Sequence, residues 1–96
     1  MNVDATFVPR LAKKARLQFD RHGQKHMILY PERGLELNDA AAAIAKKLDG
    51  ARSVAVIATE LAAEHEGSRR ELIEKDVLAF VSLLAAKGLL ELELER

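Results

Sequence analysis

The chain has 96 residues, and its fifteen Lys and Arg balance fifteen Asp and Glu, for a formal net charge of zero. That size fits one small domain, and the balance withholds the strong positive field that non-specific nucleic-acid binding needs. There is no cysteine, which excludes disulfides, thiol catalysis and cysteine ligation of zinc or iron–sulfur clusters by this chain.

Residues 1–10 are mixed in character and include Pro9. They are predicted to form a flexible arm ahead of a single domain over 11–96, although Phe7 and Val8 have the apolar surface to dock. Asp4 and Pro9 fall where a signal peptide would be apolar, and no apolar run approaches the roughly 20 residues of a membrane span. A cytoplasmic protein without membrane contact is therefore expected.

From Arg16 the pattern has period two. Leu17 and Phe19 share one face and Arg16, Gln18 and Asp20 the other, as in a half-buried strand. Arg21–Gln24 supplies a turn in which Gly23 is expected to take positive φ. Lys25–Tyr30 reads as a second, more fully buried strand, ended by Pro31, which lacks a ladder donor. Gly34–Leu37 is a short third strand with Leu35 and Leu37 on one face and Glu36 on the other.

Asn38 can cap a helix over Ala40–Lys47, with Gly50 suited to its left-handed end. Ser53 caps a second helix, Val54 to about Glu64, in which Val54, Ile57 and Leu61 recur at three and four residues. A third helix is expected from about Arg69 to Lys87, stopped by Gly88. Leu89–Glu95 alternates as a final strand, with Leu90, Leu92 and Leu94 inward. The fold class is α+β and winged helix-turn-helix-like: a three-stranded antiparallel sheet, three helices and a short C-terminal strand.

The segments Ile28-Leu29-Tyr30-Pro31-Glu32, Leu35-x-Leu37-Asn38, Ala41 and Ile44, Asp49-Gly50 with Ser53-Val54 and Ile57, then Asp76-Val77, Phe80, Leu84 and Gly88-Leu89-Leu90 resemble the PqqD family over roughly residues 10–92. The resemblance implies a non-catalytic peptide chaperone of pyrroloquinoline quinone biosynthesis that has no cofactor of its own. It would bind the ribosomal precursor peptide PqqA and present it to the radical SAM enzyme PqqE, in the manner of a RiPP recognition element. In such relatives the leader peptide joins the sheet edge, in a groove that corresponds here to Gly34–Asn38 and the Arg69–Lys87 helix.

The residues carry a physical account of their own. A four-residue strand that ends at a helix cap leaves one row of backbone groups unpaired if it lies at the edge, which is a template for strand addition. The expected backbone contacts are Gly34, Leu35, Glu36, Leu37 and Asn38. On the third helix, at about 100° per residue, Ile73, Val77, Phe80, Val81 and Leu84 form one stripe. Leu72 and Leu83 lie to one side of it, Leu78 and Ala85 to the other. The Leu72/Leu83 flank, bordered by Arg69, Asp76 and Lys87, is the expected wall of the peptide site.

Two rival readings exist. A winged-helix DNA-binding regulator would use Arg69 and Arg70, but Glu71, Glu74 and Asp76 blunt that field. A homodimer could form through the same free sheet edge. His22, His26 and His65 are read as solvated or helix-end residues rather than metal ligands, and no nucleophile or phosphate-loop motif is present.

Overall fold

In the computed structural model, residues 3–31 and 33–91 are described. Three strands, β1 (Arg16–Asp20), β2 (Lys25–Tyr30) and β3 (Arg33–Leu37), precede three helices, α1 (Asp39–Ala45), α2 (Val54–Glu64) and α3 (Arg70–Ala86). The strands form one antiparallel sheet in the order β1-β2-β3. Leu17 pairs with Ile28 and Ile28 with Leu35, while Phe19 pairs with His26 and His26 with Leu37. Alternation along each strand therefore puts all of these residues on one face, and the helices pack on that face. The core joins Ile28 and Leu37 of the sheet to Ile44, Ile57, Val81 and Leu84 of the helices.

The helix ends follow from local chemistry. The Asn38 side chain accepts from Ala41 N at 2.8 Å, and Ser53 Oγ accepts from Val56 N at 3.1 Å. At the end of α3, Gly88 takes φ +72°, open to glycine at little steric cost. Gly88 N donates to Ala85 O at 3.1 Å and Leu89 N to Leu84 O at 2.9 Å, and Leu89 is fully buried beyond the turn. That is a Schellman stop with its hydrophobic contact.

Several expectations require correction. Gln24, with φ +57°, holds the positive-φ position of the β1–β2 turn. Gly23 does not take positive φ, and the Lys25 side chain folds over the space that a Cβ there would fill, 2.5 Å from Lys25 Cε. Helix α1 ends at Ala45, short of Lys47. Gly50 has φ +79° but lies past the helix end, beside the bridge that pairs Arg10 with Asp49. In β2 only Ile28 is buried, because the outer face, with Met27 and Leu29, has no layer over it. Phe19 is 46% exposed at the sheet end, its ring edge-on to His26 at 4.9 Å. Of the final strand, Leu90 makes an isolated bridge to Leu11, and residues 92–96 lie outside the described residues.

The segment expected to be a flexible arm is docked from Val3 onward. Ala5 O accepts from Ala55 N at 2.9 Å and Phe7 O from Val54 N at 2.8 Å, so two of the orphan donors of α2 are satisfied by this segment. Pro9 is fully buried, and its carbonyl accepts from Gly50 N at 3.0 Å. Arg10 O accepts from Glu91 N at 2.7 Å, which ties the segment to the residues after α3. At about 1 kcal/mol for each backbone hydrogen bond, removing residues 1–9 should lower stability by roughly 3 kcal/mol, read as a shift of the urea midpoint.

An ion-pair network fastens the α1–α2 connection. Lys47 Nζ reaches Glu60 Oε1 at 3.1 Å and Glu64 Oε2 at 2.9 Å, and Arg52 Nε reaches the same Glu60 oxygen at 2.8 Å. Hydrogen bonds from Lys47 and Arg52 hold the Glu60 carboxyl below its ordinary value of 4.5. A depressed folded-state value contributes stability above the unfolded value, and that contribution fades as pH falls through the folded one. Denaturant midpoints of Glu60→Gln should therefore fall less steeply with acid below about pH 4.5 than those of the parent chain.

Candidate functional site

Strand β3 pairs with β2 on one side only, and no described segment lies along its other edge. Alternate β3 residues thus direct N–H and C=O groups away from the sheet, ready for another strand. Within β3, Gly34 and Glu36 are exposed, Leu35 is half-buried and Leu37 buried. The two leucines belong to the core, which leaves the backbone edge as the accessible feature. On the outer face Glu36 pairs with Lys25. Asn38 is exposed and occupied in capping α1.

The apolar arc of α3 has two unlike flanks. Arg70 donates from Nε to Thr59 Oγ1 at 2.8 Å and from Nη2 to Ala55 O at 2.9 Å, so α2 lies on the Arg70 side. Leu78 and Ala85 on that flank are half-buried. Leu72 is two positions from Arg70, about 200° round the helix, and faces away from α2. It is 51% exposed, and Leu83 on the same flank is 44% exposed. Isolated exposed leucines are ordinary, and these two share one face of the helix about 16 Å apart along its axis.

The expected charged border is not one cluster. Arg69 stands at the start of α3, 73% exposed and 3.9 Å from Glu71, and Lys87 caps its other end. The eighteen-residue interval spans about 27 Å, so these cations serve separate stretches of the flank. Asp76 is placed differently again, at the rim of a cleft between α1, the end of α2 and the first turns of α3.

That cleft has a volume of about 300 Å³ and an apolar floor of Ala40, Ala43, Ile44, Leu61 and Ile73. Its rim carries Asp39 from α1, Asp76 from α3, and His65 and Ser68 from the α2–α3 turn. Sequence reasoning passed over the α1 contribution because an alanine run signals helix and nothing more. The available signal was the pairing of that run with Ile73 and Asp76 on the wide side of the α3 arc. Among the described residues, no group of His, Asp and Glu is arranged to hold a metal ion. No helix among them is long and apolar enough to cross a membrane.

Comparison with known proteins places this geometry. The fold matches the solution structure of the PqqD truncation of Methylobacterium extorquens PqqCD, a stand-alone RiPP recognition element. The TM-score is 0.82 at 37% identity, covering 95% of this chain and 96% of that one. It also matches lasso peptide synthetase B1 complexed with the leader peptide, with a TM-score of 0.72 at 28% identity over 88% of this chain and 99% of that one. A sheet of three antiparallel strands followed by three helices is thus the fold this chain shares with both proteins. In sequence, a PqqA binding protein of Xanthomonas oryzae pv. oryzae is 43% identical over 84 residues, covering 88% of this chain and 90% of the relative. Residues 25–90 match the family model for coenzyme PQQ synthesis protein D, and the chain belongs to the PqqD family.

Because Leu72 and Leu83 lie outside the core, replacing both with serine should leave stability within about 1 kcal/mol of the parent, since surface substitutions usually stay within about 0.5 kcal/mol each. Thermal unfolding of the double variant checks this.

Proposed function

We propose that this domain is a non-catalytic peptide adaptor of coenzyme PQQ synthesis. It binds a PqqA-like precursor peptide by adding it as a fourth strand to the outer edge of β3. The observation that carries this reading is the one-sided pairing of β3. A peptide strand there gains main-chain hydrogen bonds regardless of its sequence, while neighbouring side chains supply selectivity. The Leu72/Leu83 flank of α3 forms the apolar wall, and the side-chain contacts are assigned to Leu72, Leu83, Asp76, Arg69 and Lys87. The relative from Xanthomonas oryzae is named for PqqA binding, and lasso peptide synthetase B1 was solved with a leader peptide. Both support a peptide partner for this chain.

The reading extends to a PqqE-like radical SAM enzyme as the recipient of the bound peptide. With no cysteine of its own, the domain leaves cluster ligation by thiolates to that enzyme. Its contribution to the reaction is local concentration and alignment of the precursor.

Hydrogen exchange tests the binding mode. Outward-facing β3 amides should exchange quickly in the free domain and slow at least tenfold when a PqqA-family peptide is added. Charge reversal at Arg69 or Lys87 should weaken binding without unfolding the domain. If the β3 amides keep their free-state rates at saturating peptide, strand addition is the wrong mode.

A further inference from the structure

The floor of the cleft beside β3 is set by residue size. Ala40 and Ala43 leave α1 thin where α3 passes it, so half-buried Ile73 is reached from outside and the buried Ile44 and Leu61 lie directly beneath. Its volume of about 300 Å³ exceeds the roughly 150 Å³ of an engineered apolar cavity known to hold benzene. Position adds to shape. Asp39 is the first residue of α1, separated from the last residue of β3 by Asn38 alone. A strand laid along β3 as far as Leu37 therefore ends close to the Asp39 side of the cleft.

Charge narrows the choice of occupant. The Asp39 and Asp76 side chains stand on the rim from two different helices, both exposed, and no ion pair involves either among the described residues. An apolar floor beneath two carboxylates suits a chain that offers a large apolar side chain next to a cation.

We infer that this cleft seats a bulky aliphatic or aromatic side chain of the precursor peptide, flanked in that peptide by a lysine or arginine that pairs with Asp39 and Asp76. The inference rests on strand addition at β3, since that is what aims the peptide at the cleft. The apolar side chain supplies most of the affinity, because its burial is worth more than an exposed ion pair. The cation selects sequence and orientation.

The probe is a synthetic PqqA-family precursor peptide, with copies in which each Lys or Arg is replaced in turn by norleucine. Filling the cleft by Ala43→Phe should weaken binding at least tenfold. In the parent domain one norleucine copy should lose about two- to fivefold in affinity, the range for a single exposed ion pair. That loss should vanish in the Asp39→Asn/Asp76→Asn double variant. Nuclear Overhauser contacts from the bound peptide to the Ile44 and Ile73 methyls of the parent domain supply a readout that needs no variant. If the β3 amides become protected but those methyls show no peptide contact, and every norleucine copy loses as much affinity in the double variant as in the parent, the cleft is not a subsite and strand addition stands. If the β3 amides are never protected, strand addition fails and the inference falls with it.

Discussion

Backbone pairing on one side of β3 is the constraint on which the rest depends. β2 is satisfied by a neighbour on each edge, whereas β1 and β3, among the described residues, each have β2 alone. Asn38 ends the strand and, by accepting from Ala41 N, starts α1 at once. The chain therefore leaves the sheet before it can supply another strand on that side. The helices cover one face of the sheet, and the edge stays open because nothing described folds over it. Exposed edges invite unwanted pairing and are usually blunted. Here the edge is short, and the Lys25–Glu36 ion pair lies on the outer face beside it.

The helices carry the other exposed features of the candidate site. Arg70 fixes which flank of α3 meets α2 by reaching Thr59 and the Ala55 carbonyl. The opposite flank is left to solvent with Leu72 and Leu83, and the alanines of α1 keep the space at its foot open. On the proposed reading, recognition divides into two physical parts. Main-chain hydrogen bonds along β3 accept many sequences, whereas the apolar flank and its separated charges discriminate among them.

Much of the fold could be read from residues because its signals are local. Period-two alternation marked β1 and β3, and the Asn38, Ser53 and Gly88 signals marked helix ends that short-range hydrogen bonds confirm. The docking of residues 3–10 was legible only in the apolar surface of Phe7, which packs on the core while Val8 stays exposed. Ala5, Phe7 and Pro9 also act through carbonyl oxygens that every residue type carries, so no pattern announced those bonds. The exposure of Phe19 was likewise a matter of its place at the sheet end, and the turn put its positive φ at Gln24 rather than at the neighbouring glycine. At the site, periodicity showed that the α3 arc was too wide for one contact. It could not say which flank α2 would take, because that depends on a guanidinium reaching across to another helix. Arg69, Asp76 and Lys87 were grouped by angle alone, and the rise along the helix separates them.

The bridge between Leu11 and Leu90, with Arg10 O bonded to Glu91 N, brings the entering and leaving segments of the domain side by side. Residues 3–9 continue from this junction to the start of α2, so the approach to β1 is held at both of its ends. The entering and leaving segments are thus fastened to each other, and neither can peel away without breaking the bonds of its neighbour.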